Sequence, residues 1–545
     1  MPDASTRPGE ILIVGAGPAG LTAATLLLQS GRPCTLVDQS PAVGGRVDAG
    51  RGATPSPAAA RAWAPLQAHR DSGLLRLHLG CRAVGAVDQS LLVEPLAGGP
   101  ALRLRWATLL LAGGAQEVVL PFPGWTLPGV QPAGGLQLML KAGLDLRGRK
   151  LVLAGSGPLL LVAAASALRA GAQQVTLVER APRTALARFA AQLPRWPQRL
   201  RAALSLTATL TPALAAKFAA MAGSTFASTF QSTFRSTFPG GTAGGPASQP
   251  VPPAGRLRWL LGAQVLRATG DGTVRSVEVQ ARDGSVRSLP CDHLGVSDAL
   301  RPELALADLL GCRRTQRHGG AAVAVDAYGH SSVPGVYAIG ESCGVGGRDK
   351  AVAEARACAL HLTGDVSGAR RAAACAAHEA RFATLLAQTF PLPADPAARL
   401  SDDTLVCRCE DVSWAALRHS PDARSARLHE RCGMGWCQGR SCGIALQLLR
   451  GFGDCAEAAA DTRADASAEI SADAYADALA DAHADALANA HAEIPADTSA
   501  DASADTSAET SFATPFATAG ARSRLPALPC RLSTLALLIT PPESP

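Results

Sequence analysis

The chain is poor in aromatic residues, which make up 4% of its 545 positions. Its basic residues are spread without aromatic interleaving, so a surface that stacks bases and follows phosphates is not expected, and nucleic acid is not a predicted partner. No stretch reaches the eighteen or so apolar residues of a membrane span. The opening MPDASTRPGEILIVGAG has no basic segment followed by an apolar one. These absences predict a protein with no transmembrane segment and a cytoplasmic location. Acids are unevenly placed: fourteen of them, with one arginine, lie between Asp454 and Glu509, leaving the rest of a chain of formal charge +6 near +19. Such a basic surface suits an acidic partner or the chain's own acidic tract as well as a polyanion. Cysteine, in contrast, is plentiful at fourteen residues. In a reducing compartment these are buried thiols or metal ligands. Cys34, Cys81, Cys291, Cys312, Cys343, Cys358, Cys375, Cys455 and Cys530 stand singly and read as small hydrophobes.

The amino-terminal EILIVGAGPAGLTAATLLLQSGRPCTLVDQ reads as strand, glycine turn, helix and strand, with Gly15, Gly17 and Gly20 at G-x-G-x-x-G spacing. The first glycine permits the turn, the second lets the backbone approach a pyrophosphate, and the third packs the helix on the sheet. Asp38 ends the next strand, where a carboxylate can accept ribose hydroxyls, and Gly45 joins the expected cofactor-binding set. A second copy, RKLVLAGSGPLLLVAAASALRAGAQQVTLVER, keeps Gly155 and Gly157 and ends in Glu179, but Leu160 replaces its third glycine. A leucine there is expected to push the helix from the strand and crowd the pyrophosphate. NAD(P), ATP or no nucleotide all remain open for this 151–180 fold.

Two apolar strands follow the same logic, ATLLLAGGAQ from Ala107 and SVPGVYAIGES from Ser332. With the doubled pattern they resemble the two-dinucleotide-binding-domain flavoproteins of the pyridine nucleotide-disulfide oxidoreductase superfamily, over roughly residues 8 to 365. The resemblance implies FAD on the first fold, with Gly340 and Glu341 near its ribityl and pyrophosphate region. Gly113 stands where that family has threonine and Glu341 where it has aspartate. The paired redox cysteines of its disulfide reductases, C-x4-C in the first domain or C-x2-C in the second, are missing. Disulfide reduction is thereby excluded, because thiolate exchange needs two adjacent sulfurs.

Near the carboxyl end come LVCRCEDVS and RCGMGWCQGRSCG. Cys407 and Cys409 form C-x-C and Cys437 and Cys442 form C-x4-C, each pair in a loop at a helix start, while Cys432 stands outside both. This spacing suits a [2Fe–2S] cluster better than one tetrahedral zinc, although zinc and plain thiols stay as alternatives. Gly433, Gly435, Gly439 and Gly443 let backbone wrap closely around sulfide, and Arg408 and Arg440 can offset negative charge. CRCEDV with GMGWCQGRSC resembles the bacterioferritin-associated-ferredoxin-like [2Fe–2S] domain carried by the family of opine oxidase alpha subunits and hydrogen cyanide synthase B subunits. LPFPGWTLPGV (120–130), GSGPLLL (155–161) and SDALRPELALADLLGC (297–312) match the same group.

That resemblance implies an electron-transferring alpha subunit whose partner is an FAD-containing, amine-oxidising beta subunit acting on an amino acid, imino acid or opine. The expected fold class is α/β: two Rossmann-like dinucleotide-binding domains plus a small helical four-cysteine domain. An FAD-binding domain is placed at 1–130 and 286–365, a second nucleotide-binding-like domain at 131–285 and the cluster domain at 366–455. The competing reading is a stand-alone NAD(P)H-dependent reductase; a third is a zinc-stapled structural subunit. The STF repeat within a low-complexity insert near 206–255 and the Ala/acid repeat at 456–520 have no apolar stripe to bury, and read as solvated insertions ahead of a 521–545 tail.

Overall fold

The computed structural model describes residues 9–50, 54–200, 202–203, 256–318 and 320–450. The two low-complexity segments and the tail, with Cys455 and Cys530, lie outside the described residues.

Five parallel strands form the first sheet, in the order Val336–Ala338, Thr108–Leu111, Ile11–Val14, Cys34–Asp38, Leu75–Leu79. The central runs Ile11–Val14 and Thr108–Leu111 are almost wholly apolar because both faces are covered, while the edge strand Leu75–Leu79 carries Arg76 and His78. Ile11, Ile13, Cys34, Leu36 and Leu110 point to one side, where they pack under the helices Pro18–Gln29 and Arg348–Leu362. Leu12, Val37, Leu109 and Leu111 point to the other, against the antiparallel strands Cys81–Val87, Ser90–Pro95 and Leu102–Arg105. The helix Pro18–Gln29 opens with proline at its first position, whose missing N–H is no loss there, and is closed by Gly31 at φ +77°.

The second sheet repeats this plan with the parallel order Arg256–Leu261, Gln174–Glu179, Lys150–Gly155, His293–Ser297, Val130–Pro132. Leu151, Leu153, Val175 and Leu177 face the helices Pro158–Arg169 and Ala133–Ala142. Val152, Ala154, Val178 and Val296 face the antiparallel sheet of Gln264–Thr269, Ser276–Gln280 and Val286–Pro290. The return to the first domain, expected at 286, therefore falls later. Val286–Pro290 and His293–Ser297 hydrogen-bond into the second domain. The chain crosses between the domains on two antiparallel strands, Ala115–Val118 and Ala299–Pro302.

The 24-residue helix Val366–Thr389, started by an Asp365 carboxylate that accepts the Gly368 N–H at 2.8 Å, leads to the small domain. Leu405–Cys407 pairs with Val412–Ser413 as a hairpin, followed by one helical turn at Trp414–Leu417 and the helices Ala423–Glu430 and Gly443–Arg450. Among the described residues no helix is long and apolar enough to cross a membrane.

Candidate functional site

At the carboxyl ends of the first sheet the three glycines do different work. A Cβ on Gly15 would stand 2.3 Å from the Ala112 carbonyl oxygen, and one on Gly20 only 1.8 Å from that of Gly15. Both positions are closed to any side chain by the protein itself. Gly17 is not: its nearest neighbour would be the Gly45 Cα at 4.0 Å. Gly45, at φ +59°, packs against it so closely that a Cβ on Gly45 would stand 2.9 Å from the Gly17 Cα. The half-buried Asp38 takes the Ala16 N–H at 2.5 Å and the Ser40 N–H at 2.7 Å, fixing the loop while its oxygens keep lone pairs for hydroxyl groups. A bare backbone cradle at a helix start, beside a carboxylate, fits the pyrophosphate and ribose of FAD.

Gly340 and Glu341 follow the strand Val336–Ala338 at the same sheet end. The Glu341 carboxylate folds back on its own loop, accepting N–H groups from Gly346 at 3.1 Å and Gly347 at 2.7 Å. Sequence reasoning missed what supports this turn. The Glu354 carboxylate accepts the Gly340 N–H at 3.0 Å and pairs at 2.7 Å with Lys350, which is 1% exposed and also donates to the Gly340 carbonyl at 3.3 Å. Burial pushes the Glu354 carboxyl upward, opposed by the ammonium of Lys350. Only the helical i, i+4 spacing of Lys350 and Glu354 could have signalled the pair.

The second glycine loop differs from the first. Gly155, at φ +133°, sits where a Cβ would strike the Ser297 carbonyl oxygen at 1.8 Å. Leu160 does not stand over the phosphate position as expected. It is 2% exposed in the core with Leu151, Leu153 and Ala164, filling the space between helix and sheet that a third glycine would have closed. What meets the loop is the protein itself. Buried Glu179 accepts the Ser156 hydroxyl at 2.7 Å and the Gly157 N–H at 2.9 Å. Phe390, just past the long helix, lies 3.9 Å from where a Gly157 Cβ would be, and Gly157 is buried where Gly17 is not.

Trp125 and Asp298, from the stretches 120–130 and 297–312, sit where the domains meet. Asp298 is 1% exposed and accepts the Leu120 N–H at 2.8 Å. It pairs with Arg180 of the second fold at 2.9 Å and with Arg399 of the segment leading to the small domain at 3.3 Å. Arg180 also donates to the Pro391 carbonyl at 2.9 Å, and the Trp125 indole N–H donates at 2.5 Å to the carbonyl of Leu405, two residues before Cys407. Asp298→Asn would leave two guanidinium groups short of their shared anion, at a cost of about 3 to 5 kcal/mol. The expected outcome is a lower denaturation midpoint and faster proteolysis between residues 391 and 404. An unchanged midpoint and cleavage pattern would contradict the clamp.

The small domain gathers all five of its described cysteines. Cys407, Cys432 and Cys442 are buried with their Sγ atoms all within 4.8 Å of one another. Cys409 and Cys437 hydrogen-bond to each other and are less buried. Hydrogen bonds from Cys432 and Cys442 hold the Cys407 thiol well below its ordinary range, and the same bonds push those two partners upward. The Gly433 N–H also points at the Cys407 sulfur, at 3.4 Å. A Cβ on Gly435 would meet the Cys409 Cβ at 2.6 Å, so glycine is required there. Arg408 and Arg440 are exposed, whereas the Arg427 guanidinium lies 3.7 Å from where a Gly439 Cβ would be. Buried, converging sulfurs with close backbone suit a soft metal centre. The single cysteines behave as expected at Cys34, Cys81, Cys291, Cys312, Cys343 and Cys358, which are buried with thiols pushed up by that burial. Cys375 departs from the expectation and is exposed.

Residues 9–205 match the family model described as pyridine nucleotide-disulphide oxidoreductase. The A-type subunit of opine oxidase from Rhizobium meliloti (strain 1021) is 30% identical over 472 residues, spanning 81% of this chain and 92% of that one. Hydrogen cyanide synthase subunit HcnB of Pseudomonas aeruginosa is 29% identical, over 79% of this chain and 90% of its own. Among solved structures, L-proline dehydrogenase from P. horikoshii aligns with TM-score 0.49 and 15% identity, over 82% of this chain and 74% of that one. An FAD-type cradle, a second dinucleotide fold and likeness along almost the whole length of a relative lead to one assignment: the chain belongs to the family of opine oxidase A-type subunits and is an FAD-dependent oxidoreductase.

Proposed function

We propose that this chain is the electron-transferring alpha subunit of a multi-subunit, flavin-dependent amine or amino-acid dehydrogenase. The observation that carries the reading is the convergence of three buried cysteines, with a hydrogen-bonded pair of two more, in a domain clamped to a dinucleotide-binding body that itself lacks any redox cysteine pair. FAD and a [2Fe–2S] cluster, when bound, would supply two-electron and one-electron chemistry respectively. The chain's own residues do the holding. Gly15, Gly17, Gly20, Gly45 and Asp38 cradle the dinucleotide, Gly340 and Glu341 shape the opposite wall, and Cys407, Cys409, Cys437 and Cys442 ligate the cluster.

Substrate oxidation is assigned to an FAD-containing beta subunit acting on an amino acid, imino acid or opine. Two relatives bearing the name of opine oxidase or hydrogen cyanide synthase subunits support that partnership. No side chain of this chain is assigned as nucleophile or general base. The second fold, with Gly155 and Gly157, supports a rival reading as a stand-alone NAD(P)H oxidoreductase; ATP is the other nucleotide its loop could take.

Metal and sulfide content test the cluster. Anaerobically purified protein is expected to contain about two irons and two acid-labile sulfides per chain. Stoichiometric zinc without sulfide would contradict it.

A further inference from the structure

The five sulfurs of the small domain are unevenly divided, three buried and two near the surface. Cys407 lies on the hairpin, Cys432 follows the helix Ala423–Glu430, and Cys442 precedes the helix Gly443–Arg450. Three separate elements therefore deliver their thiols to one point. Cys432 is turned there by Arg431, a non-glycine residue at φ +60° that ends its helix, and by its own N–H, which donates to the Ala426 carbonyl at 3.2 Å. A cysteine serving as a small hydrophobe would be satisfied by Val406, Leu417 and Leu446 of the surrounding core. The sulfur of this one instead lies within 4.8 Å of those of Cys407 and Cys442.

A [2Fe–2S] cluster takes four thiolates. If the near-surface pair Cys409 and Cys437 fills two positions, the buried trio offers three sulfurs for the other two. We propose that Cys432 is a reserve metal ligand, able to take the position of Cys442 on the buried side. The exchange replaces one iron–thiolate bond with another, the proton leaving the incoming thiol and passing to the outgoing thiolate, with no change in electron count. This inference rests on the iron–sulfur reading above and extends its ligand set.

Alanine variants of the full chain test it, alanine being chosen because a serine oxygen can itself bind iron. Cys442→Ala is expected to retain about half or more of the wild-type iron and sulfide, and Cys432→Ala/Cys442→Ala to lose about tenfold, with FAD content unchanged in both. Alkylation with iodoacetamide supplies a second measurement: in Cys442→Ala, Cys432 should resist labelling until a chelator removes the iron. Loss of iron from Cys442→Ala as complete as from the double variant, or labelling of Cys432 while iron stays bound, would overturn the reserve role and leave the cluster itself standing. Wild-type protein with zinc and no sulfide would overturn both.

Discussion

Gly17→Val is expected to give a folded protein that has lost its FAD, with bound flavin per chain falling about tenfold or more. Three glycines of one loop differ in what a side chain would meet. Valine at position 15 or 20 would drive a Cβ into a backbone carbonyl, so a loss of flavin there could not be told from misfolding. At position 17 the protein leaves room, the nearest atom being 4.0 Å from the new Cβ. The backbone φ of −78° is one that valine adopts without strain. What the new side chain occupies is the open space at the helix start, where a pyrophosphate would approach the backbone. The absorbance spectrum and released flavin measure the loss, and circular dichroism and the thermal transition report the fold. A yellow Gly17→Val protein would mean that the flavin lies elsewhere.

The isolated chain is expected to reduce dyes only slowly with NADH or NADPH, below about 0.1 per second against a median of about 10 per second for enzymes in general. A nicotinamide dinucleotide must bring its phosphates to the second glycine loop. There the Gly157 N–H is already bonded to buried Glu179, and Phe390 stands over the same residue. Phe390→Ala should therefore raise the rate if the ring is the obstruction. Stopped-flow measurement of flavin bleaching would check both.

Much of this architecture was legible in the sequence because its signals are local. Glycine spacing, apolar runs of four or five residues and a closing acid specify strand, turn, helix and strand wherever they occur together, and the structure has both copies. Directions and partners are not local. Leu160 occupies a phosphate-loop position in the sequence but turns into the core, since only the packing of Leu151 and Leu153 shows which way a helix side chain faces. Cys432 looked unpaired because spacing groups cysteines by neighbours in the chain, whereas its sulfur is brought to Cys407 across 25 residues by a hairpin and a helix end. Asp298, Arg180 and Arg399 form one cluster from three distant segments, and no periodicity announces it. The domain return was placed too early for the same reason: strand order within a sheet is decided by pairing.

The central claim is that electrons reach this chain from a partner that oxidises an amine. Its most direct test is to co-express the chain with a neighbouring FAD-containing amine-oxidising subunit, purify the complex, and follow an artificial acceptor with amino acids, imino acids and opines as substrates. Electron transfer from such a partner predicts acceptor reduction by the complex that neither protein sustains alone, and its slowing by Cys437→Ala. Rapid NAD(P)H turnover by this chain alone, with no amine oxidation by the complex, would contradict it.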